Sequence, residues 1–294
     1  MTFEEAMRAS GLIPREIVAD GKWRRCATID HPKKKNGVYA LNPDGRGVFR
    51  NWATDSEVNL WQSDEFQRAN PLDMAKLEAH KARERAKRIE AMKCARMMWQ
   101  RSTRLLGGHP YLTRKGLTMQ GCTGLRTYSG SLVVPVIFKE SIISTQSIHE
   151  DGTKRFFAGA PVKGGCYFLN RPRAAVTCLV EGVATGLAIF QSIPQANVVI
   201  AFDAGNLMPV AQRLRPTGSV VVCADNDHTT QAKRGFNPGV EKATNVADFL
   251  GCGVAYPQGI EGTDYADCLR EWGTGAHKRV AREVLMQARY VCGA

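Results

Sequence analysis

Five carboxylates carry the chemistry this chain could perform. Glu181 closes the run "LVEG", Asp225 and Asp227 close "SVVVCADND", and Asp264 and Asp267 stand in "EGTDYADCL". The first three each follow a short apolar run with the length and β-branching of a buried strand. In an open parallel sheet, ligands bind beyond the carboxyl ends of the strands. If the strands ending at 181 and 225 are neighbours, their acids converge on one edge. Carboxylates crowded there repel one another unless a hard cation lies among them. Mg²⁺ fits such oxygen donors, with Mn²⁺ as a substitute, because it keeps waters and is commonly completed by substrate phosphates. On an extended chain Asp225 and Asp227 project to the same side, and Asn226 faces away. Gly182 is expected to allow a tight turn after Glu181. Asp203, before "AGNLMPVAQRL", is expected to cap a helix and not to bind metal.

The elements that must position these acids alternate from residue 171 onward. "AVTCLVEG", "NVVIAFDA", "SVVVCAD" and "GVAYP" read as strands, interleaved with helices "VATGLAIFQSI", "LMPVAQRLR", one starting near Pro238, and "CLREW". That grammar predicts an α/β domain with a mostly parallel sheet over 171–294. Residues 107–170 read instead as hairpins, through "SLVVPVIF", "SIISTQSIH", "KRFFAGA" and "KGGCYFL". Residues 61–106 form a helical linker, with one long helix from Pro71 to Leu106 rich in Ala, Lys, Arg and Glu. Its run Lys81–Arg88 is either a solvated face or a path for a phosphate backbone. Residues 1–60 form a small basic β-rich module.

The chain holds 40 Lys and Arg against 28 Asp and Glu, a formal charge of +12. The excess is uneven: the net is +7 over residues 1–106, +4 over 107–170 and +1 over 171–294. An anionic partner, nucleic acid first, is implied for the first half. In the N-terminal module Lys22, Trp23, Arg24, Arg25 and Trp52 combine cations with aromatics, a pairing suited to stacking on bases beside phosphates. The alternative is that these tryptophans build the module's own core. Nine cysteines include no C-x-x-C pair, so no zinc is expected and they read as small buried hydrophobes. No leader or membrane span is read, which implies a cytoplasmic protein. His109, before Pro110, reads as a turn residue. His149 and His228 are weak phosphate candidates.

The set "EGVATGLA" followed some forty residues later by Asp-x-Asp resembles the Toprim fold of primases, topoisomerases and related nucleases. The pieces "GHPYLTRKGL", "LVVPVI", "TQSIHEDGTKRFFAGAPVKGGCYFL", "AFDAGNL" and "GTDYADCL" make the whole chain similar to the DNA primases of phages and plasmids. The resemblance implies that Glu181, Asp225 and Asp227 hold one or two Mg²⁺ ions, with Glu181 able to serve as general base. Lys154, Arg155 and Lys163 would contact the template or the incoming nucleoside triphosphate, and Asp264 and Asp267 would support the acids. It also implies a single-stranded DNA template, a bacterial host cytoplasm, and a separate replicative helicase, since no G-x-x-x-x-G-K-[ST] loop occurs here. One departure lies in the turn after "VPVI", which reads Phe138-Lys139-Glu140-Ser141 where the family carries an Asp and a Gly. The implied activity is synthesis of short RNA primers by nucleotidyl transfer. A metal-dependent nuclease and a non-catalytic single-strand binder are the alternatives. A topoisomerase would need a nucleophilic tyrosine, and nothing marks Tyr111, Tyr128 or Tyr167 as one.

Overall fold

A computed structural model describes residues 1–55, 57–63 and 71–292. Residues 64–70, inside the expected helical linker, lie outside that range. The chain divides into two compact units, Met1–Lys87 and Arg88–Ala294.

In the first unit, helix α1 (Phe3–Ala9) is opened by a capping box between Thr2 and Glu5. It packs on one face of a five-stranded antiparallel meander: β1 (Leu12–Ile13), β2 (Arg24–Thr28), β3 (Gly37–Leu41), β4 (Arg46–Asn51) and β5 (Asn59–Gln62). Phe3 is the anchor, with ring centroids 5.3 Å from Trp61 and 5.8 Å from Phe49. The core thus uses Phe3, Tyr39, Phe49 and Trp61, whereas Trp23 and Trp52 stay 60% and 53% exposed. Neither is needed for packing.

Helix α2 (Pro71–Arg101) ends five residues before the expected Leu106. Ser102 Oγ bonds back to the carbonyls of Met98 and Trp99, and Thr103–Arg104 then pair as strand β6. Sheet pairing with Arg126 and Thr127 overrides the helical propensity of those residues.

In the second unit, β6 (Thr103–Arg104), the short helix α3 (Pro110–Arg114), β7 (Arg126–Tyr128), β8 (Ser131–Phe138), β9 (Ser141–Ile148) and β10 (Lys154–Phe156) supply an antiparallel sheet ordered β10-β9-β8-β7-β6. The long pair β8–β9 is its spine, and a register shift at Val136/Ile137 bends it. There Ile137 and Cys166 exchange two backbone hydrogen bonds of 2.9 Å.

The second sheet starts with β11 (Tyr167–Leu169) and β12 (Val176–Val180). Then come α4 (Val183–Ser192), β13 (Ala196–Ile200), α5 (Ala204–Leu214), β14 (Gly218–Cys223), α6 (His228–Arg234) and α7 (Pro238–Leu250). It ends with β15 (Gly253–Ala255), α8 (Tyr265–Trp272), α9 (Ala276–Gln287) and β16 (Arg289–Val291). The order is β11-β13-β12-β14-β15, with β16 also on β14; β11 and β16 are antiparallel and the rest parallel.

Two-residue periodicity splits each central strand between two cores. Cys178, Val180, Val221 and Cys223 face α4, α8 and α9, while Leu179, Val220 and Val222 face α5 and α7. In α4, Gly186 is required by close approach, since a Cβ there would lie 2.7 Å from the Ile200 side chain. Six of the nine cysteines are buried, in keeping with their reading as small hydrophobes. Among the described residues no helix is long and apolar enough to cross a membrane.

Candidate acidic site at the carboxyl edge of the parallel sheet

β12 lies beside β14 with Val180 opposite Cys223. Glu181 and Asp225 therefore leave the sheet from neighbouring strand ends, at its carboxyl edge. The backbone N–H of Ala204 faces Glu181 and acts to lower its carboxyl. That amide is presented by a sharp turn: Phe202 adopts φ +75°, and Asp203 then caps α5 by accepting from the Asn206 N–H at 3.0 Å. Asp225 Oδ1 accepts from Thr185 Oγ1 at 2.6 Å, in the first turn of α4.

The acids burden one another. Burial first, and then the charges of Glu181 and Asp264, push the Asp225 carboxyl up to about 8, against the Thr185 hydroxyl and Lys154. Burial and the Asp227 charge also raise Glu181. Such a group of carboxylates lacks positive charge. Their donor set fits a hard divalent cation in element and charge. Among the described residues no three His, Cys, Asp or Glu side chains converge closely enough to enclose an ion as they stand.

Lys154 is a basic residue that reaches this edge. A Cβ placed on Gly182 would lie 3.7 Å from Asp225 Oδ2 and 3.8 Å from Lys154 Nζ, so the two groups border the same space. Lys154 shares a face of β10 with Phe156, whose ring meets Phe202 edge-on at 5.9 Å. That aromatic contact brings β10 to the sheet edge. Arg155 alternates to the opposite face and is exposed, as is Lys163 in the loop before Gly164. Asp264 and Asp267 are buried at the start of α8, where they form a capping box. Lys115 Nζ donates to Asp264 Oδ2 at 2.7 Å and to Asp267 Oδ1 at 2.9 Å.

Several local expectations change. Gly182 has φ −110° and ψ 159°, open to any residue, so it provides space over the acids and no special turn. Strand β14 stops at Cys223, and Asp227 at φ −74°, ψ 47° is the residue before α6, so the extended geometry does not reach it. Asn226 does not idle on the far side. Its Nδ2 donates to the Pro257 carbonyl at 2.7 Å and its Oδ1 accepts from Asn237 Nδ2 at 2.8 Å. Thr185, Lys115 and Asn237 escaped the sequence reading. Only Thr185, one helical turn from Glu181, carried a local signal.

The histidines are structural in their contacts. His109 caps α3, accepting from the Tyr111 N–H, and His149 Nδ1 lies 3.0 Å from Ser131 Oγ. His228 Nδ1 is 3.2 Å from the Asn226 carbonyl.

In the N-terminal unit the cations are only partly free. Arg24 and Lys22 both reach Asp20, at 2.8 and 3.5 Å. The Arg50 guanidinium lies 4.1 Å over the Trp52 ring. Arg25 is exposed and, with Arg15, Lys33, Lys34 and Lys35, lines a cavity of about 550 Å³.

Comparison with known proteins agrees with the geometry of the second sheet. Residues 176–275 match the family model of the Toprim domain. Two Escherichia coli proteins named DNA primase TraC are each 31% identical to this chain. They align over 284 and 282 residues, 87% of this chain in both cases but 26% and 19% of those proteins. The chain thus spans about a quarter or less of these relatives. The primase fragment of the bacteriophage T7 primase-helicase protein superposes with a TM-score of 0.44 at 14% identity, over 63% of this chain and 80% of that one. The parallel strands of the second sheet and their acidic edge thus fall within a segment, residues 176–275, that matches the Toprim domain, in a chain similar over 87% of its length to proteins named DNA primase TraC.

Proposed function

We propose that this chain is a DNA primase, a nucleotidyltransferase that synthesises short RNA primers on single-stranded DNA. One observation carries the reading: Glu181 and Asp225 leave adjacent parallel strands at one sheet edge, with Asp227 two residues on, inside the Toprim match. The similarity to TraC supports it, because it extends far beyond the Toprim segment to 87% of the chain.

Glu181, Asp225 and Asp227 would hold Mg²⁺, or Mn²⁺ in its stead. The bound ion would supply positive charge for the phosphates during nucleotidyl transfer. The chain's own contribution is electrostatic and positional. Lys154 supplies a cation beside the acids, suited to a triphosphate that must approach a negative edge. Glu181, raised by burial and by Asp227, is suited to take up a proton from an attacking hydroxyl. Arg155 and Lys163 are proposed to hold template or nucleotide phosphates further out, and Asp264 and Asp267, clamped by Lys115, to support Asp225. Residues 107–170 and 171–294 act as two lobes of one catalytic core that follows helix α2 in the chain. That helix is shorter than the linker 61–106 expected from sequence, because 61–62 belong to β5 and 103–104 to β6. The N-terminal module over 1–60 offers Trp23 and Trp52 to bases, and Lys22, Arg24 and Arg25 to phosphates. A separate replicative helicase in the bacterial cytoplasm would supply the opened strand.

The test is primer synthesis on circular single-stranded DNA with labelled ATP and GTP plus Mg²⁺, wild type beside Asp225→Ala. Short RNAs from the wild type alone support the proposal. Asp225-dependent degradation of the template would replace it with a nuclease.

A further inference from the structure

We infer that Asn226 is a positioning residue that holds the backbone of Asp225 and Asp227 beside the Asp264 loop, keeping the acids near one another for a divalent cation, an inference resting on the metal-site reading above. Besides the contact from the His228 ring, four hydrogen bonds converge on this one residue. Its N–H donates to the Thr263 carbonyl at 2.7 Å, and its own carbonyl accepts from the His228 N–H at 2.8 Å. Its Nδ2 donates to the Pro257 carbonyl and its Oδ1 accepts from Asn237 Nδ2. Thr263 directly precedes Asp264, so these bonds tie Asp225 and Asp227 to the loop that carries the third acid near Asp225.

Asn237 completes the clamp. Its Oδ1 accepts from the Asp227 N–H and, as the N-cap of α7, from the Val240 N–H, both at 3.3 Å. The start of α7 is pressed against the acidic loop, and a Cβ on Gly239 would lie 2.6 Å from the Asp225 carbonyl oxygen. Glycine there lets the helix start sit close enough for Asn237 to reach Asn226.

The side-chain chemistry explains why an amide separates the two aspartates. The position must donate to one carbonyl and accept from one amide at once. Aspartate would set a carboxylate against the Pro257 oxygen, alanine would free both partners, and only a carboxamide of this length satisfies both. Repelling carboxylates spread apart unless their backbone is held, so the lock keeps them near each other before an ion arrives. Groups that orient metal ligands typically govern about 10–100-fold in metal affinity.

The test uses the whole chain and Mn²⁺ alone, titrated by electron paramagnetic resonance, with thermal melting in EDTA run in parallel. Asn226→Ala is expected to weaken Mn²⁺ binding by roughly tenfold or more. Asn237→Ser, which keeps a capping oxygen but shortens away from Asn226, should weaken it less and in the same direction. If Asn226→Ala does not fold, Asn237→Ser decides the matter. A lower melting point with unchanged Mn²⁺ affinity of the folded protein would overturn the inference and leave Asn226 a scaffold residue. A wild type that binds no Mn²⁺ would overturn the metal-site reading itself, and the inference with it.

Discussion

Asp225→Asn should make the metal-free protein more stable at alkaline pH. The Asp225 carboxyl, ordinarily near 3.8, is pushed up to about 8 by burial and by Glu181 and Asp264. Between those values the folded state keeps a proton that the unfolded state has released. Stability therefore falls as pH rises through this range, and the full penalty is present above about 8. At about 1.4 kcal/mol per pK unit the ceiling is roughly 6 kcal/mol. Glu181 and Asp225 raise one another, so removing one charge also relieves its partner, while repacking and water entry lower the yield. A gain of about 2–3 kcal/mol at pH 8.5 is expected, or roughly 5–10 °C in melting temperature for a unit of this size. Asparagine keeps the shape and the acceptor for Thr185 Oγ1, so the substitution isolates the charge. Melting by circular dichroism in EDTA at pH 5 and 8.5 provides the measurement, with little difference expected at pH 5. A variant no more stable than wild type at pH 8.5 would refute the electrostatic reasoning. Added Mg²⁺ should then stabilise the wild type and not the variant.

Other outcomes follow from the same contacts. Lys115→Met strands two carboxylates whose side chains are 10% and 9% exposed, and should cost about 3–5 kcal/mol by urea unfolding, with Lys115→Arg largely retaining stability. Burial acts to raise the Asp267 carboxyl, but Lys115 together with the Thr263 and Asp264 N–H groups holds it below its usual value. That contribution is present above the ordinary carboxylate range and is lost as pH falls through the lowered pKa, so the gap between wild type and Lys115→Met should narrow in acid. Gly239→Ala forces a Cβ against the Asp225 carbonyl and should cost about 1–3 kcal/mol, read by thermal or urea unfolding. Trp23→Ala and Trp52→Ala should leave the melting temperature nearly unchanged, since both rings are exposed, while each weakens single-stranded DNA binding by about 1–3 kcal/mol in fluorescence anisotropy. Unchanged affinity in both would remove the N-terminal module from the binding surface.

What the sequence determined by itself was the local grammar and its consequence. Strands such as "TCLV" and "SVVVC" are apolar on both faces, which calls for helices on both sides and parallel neighbours. Acids directly after two such strands had to emerge at the sheet's carboxyl edge. Asp203 was legible as a cap because a short acid before a helical run satisfies free N–H groups wherever it occurs. The tertiary structure decided everything that depends on distant residues. Lys115 meets Asp264 across 149 positions of chain, and no periodicity encodes that pairing. Lys154 reaches the acids, and Arg155 does not, because Phe156 packs on Phe202 and so fixes which face of β10 turns inward. Asn226 looked like a neutral spacer until Pro257 and Asn237 appeared beside its two polar atoms. Trp23 and Trp52 were ambiguous in sequence, since a tryptophan beside an arginine reads alike in a core and on a surface. Phe3 settled it by filling the inner face with Phe49 and Trp61, leaving the other two rings to solvent. Neighbouring residues dictate backbone conformation, but charge, burial and hydrogen-bond partners belong to whatever the fold brings within a few ångströms.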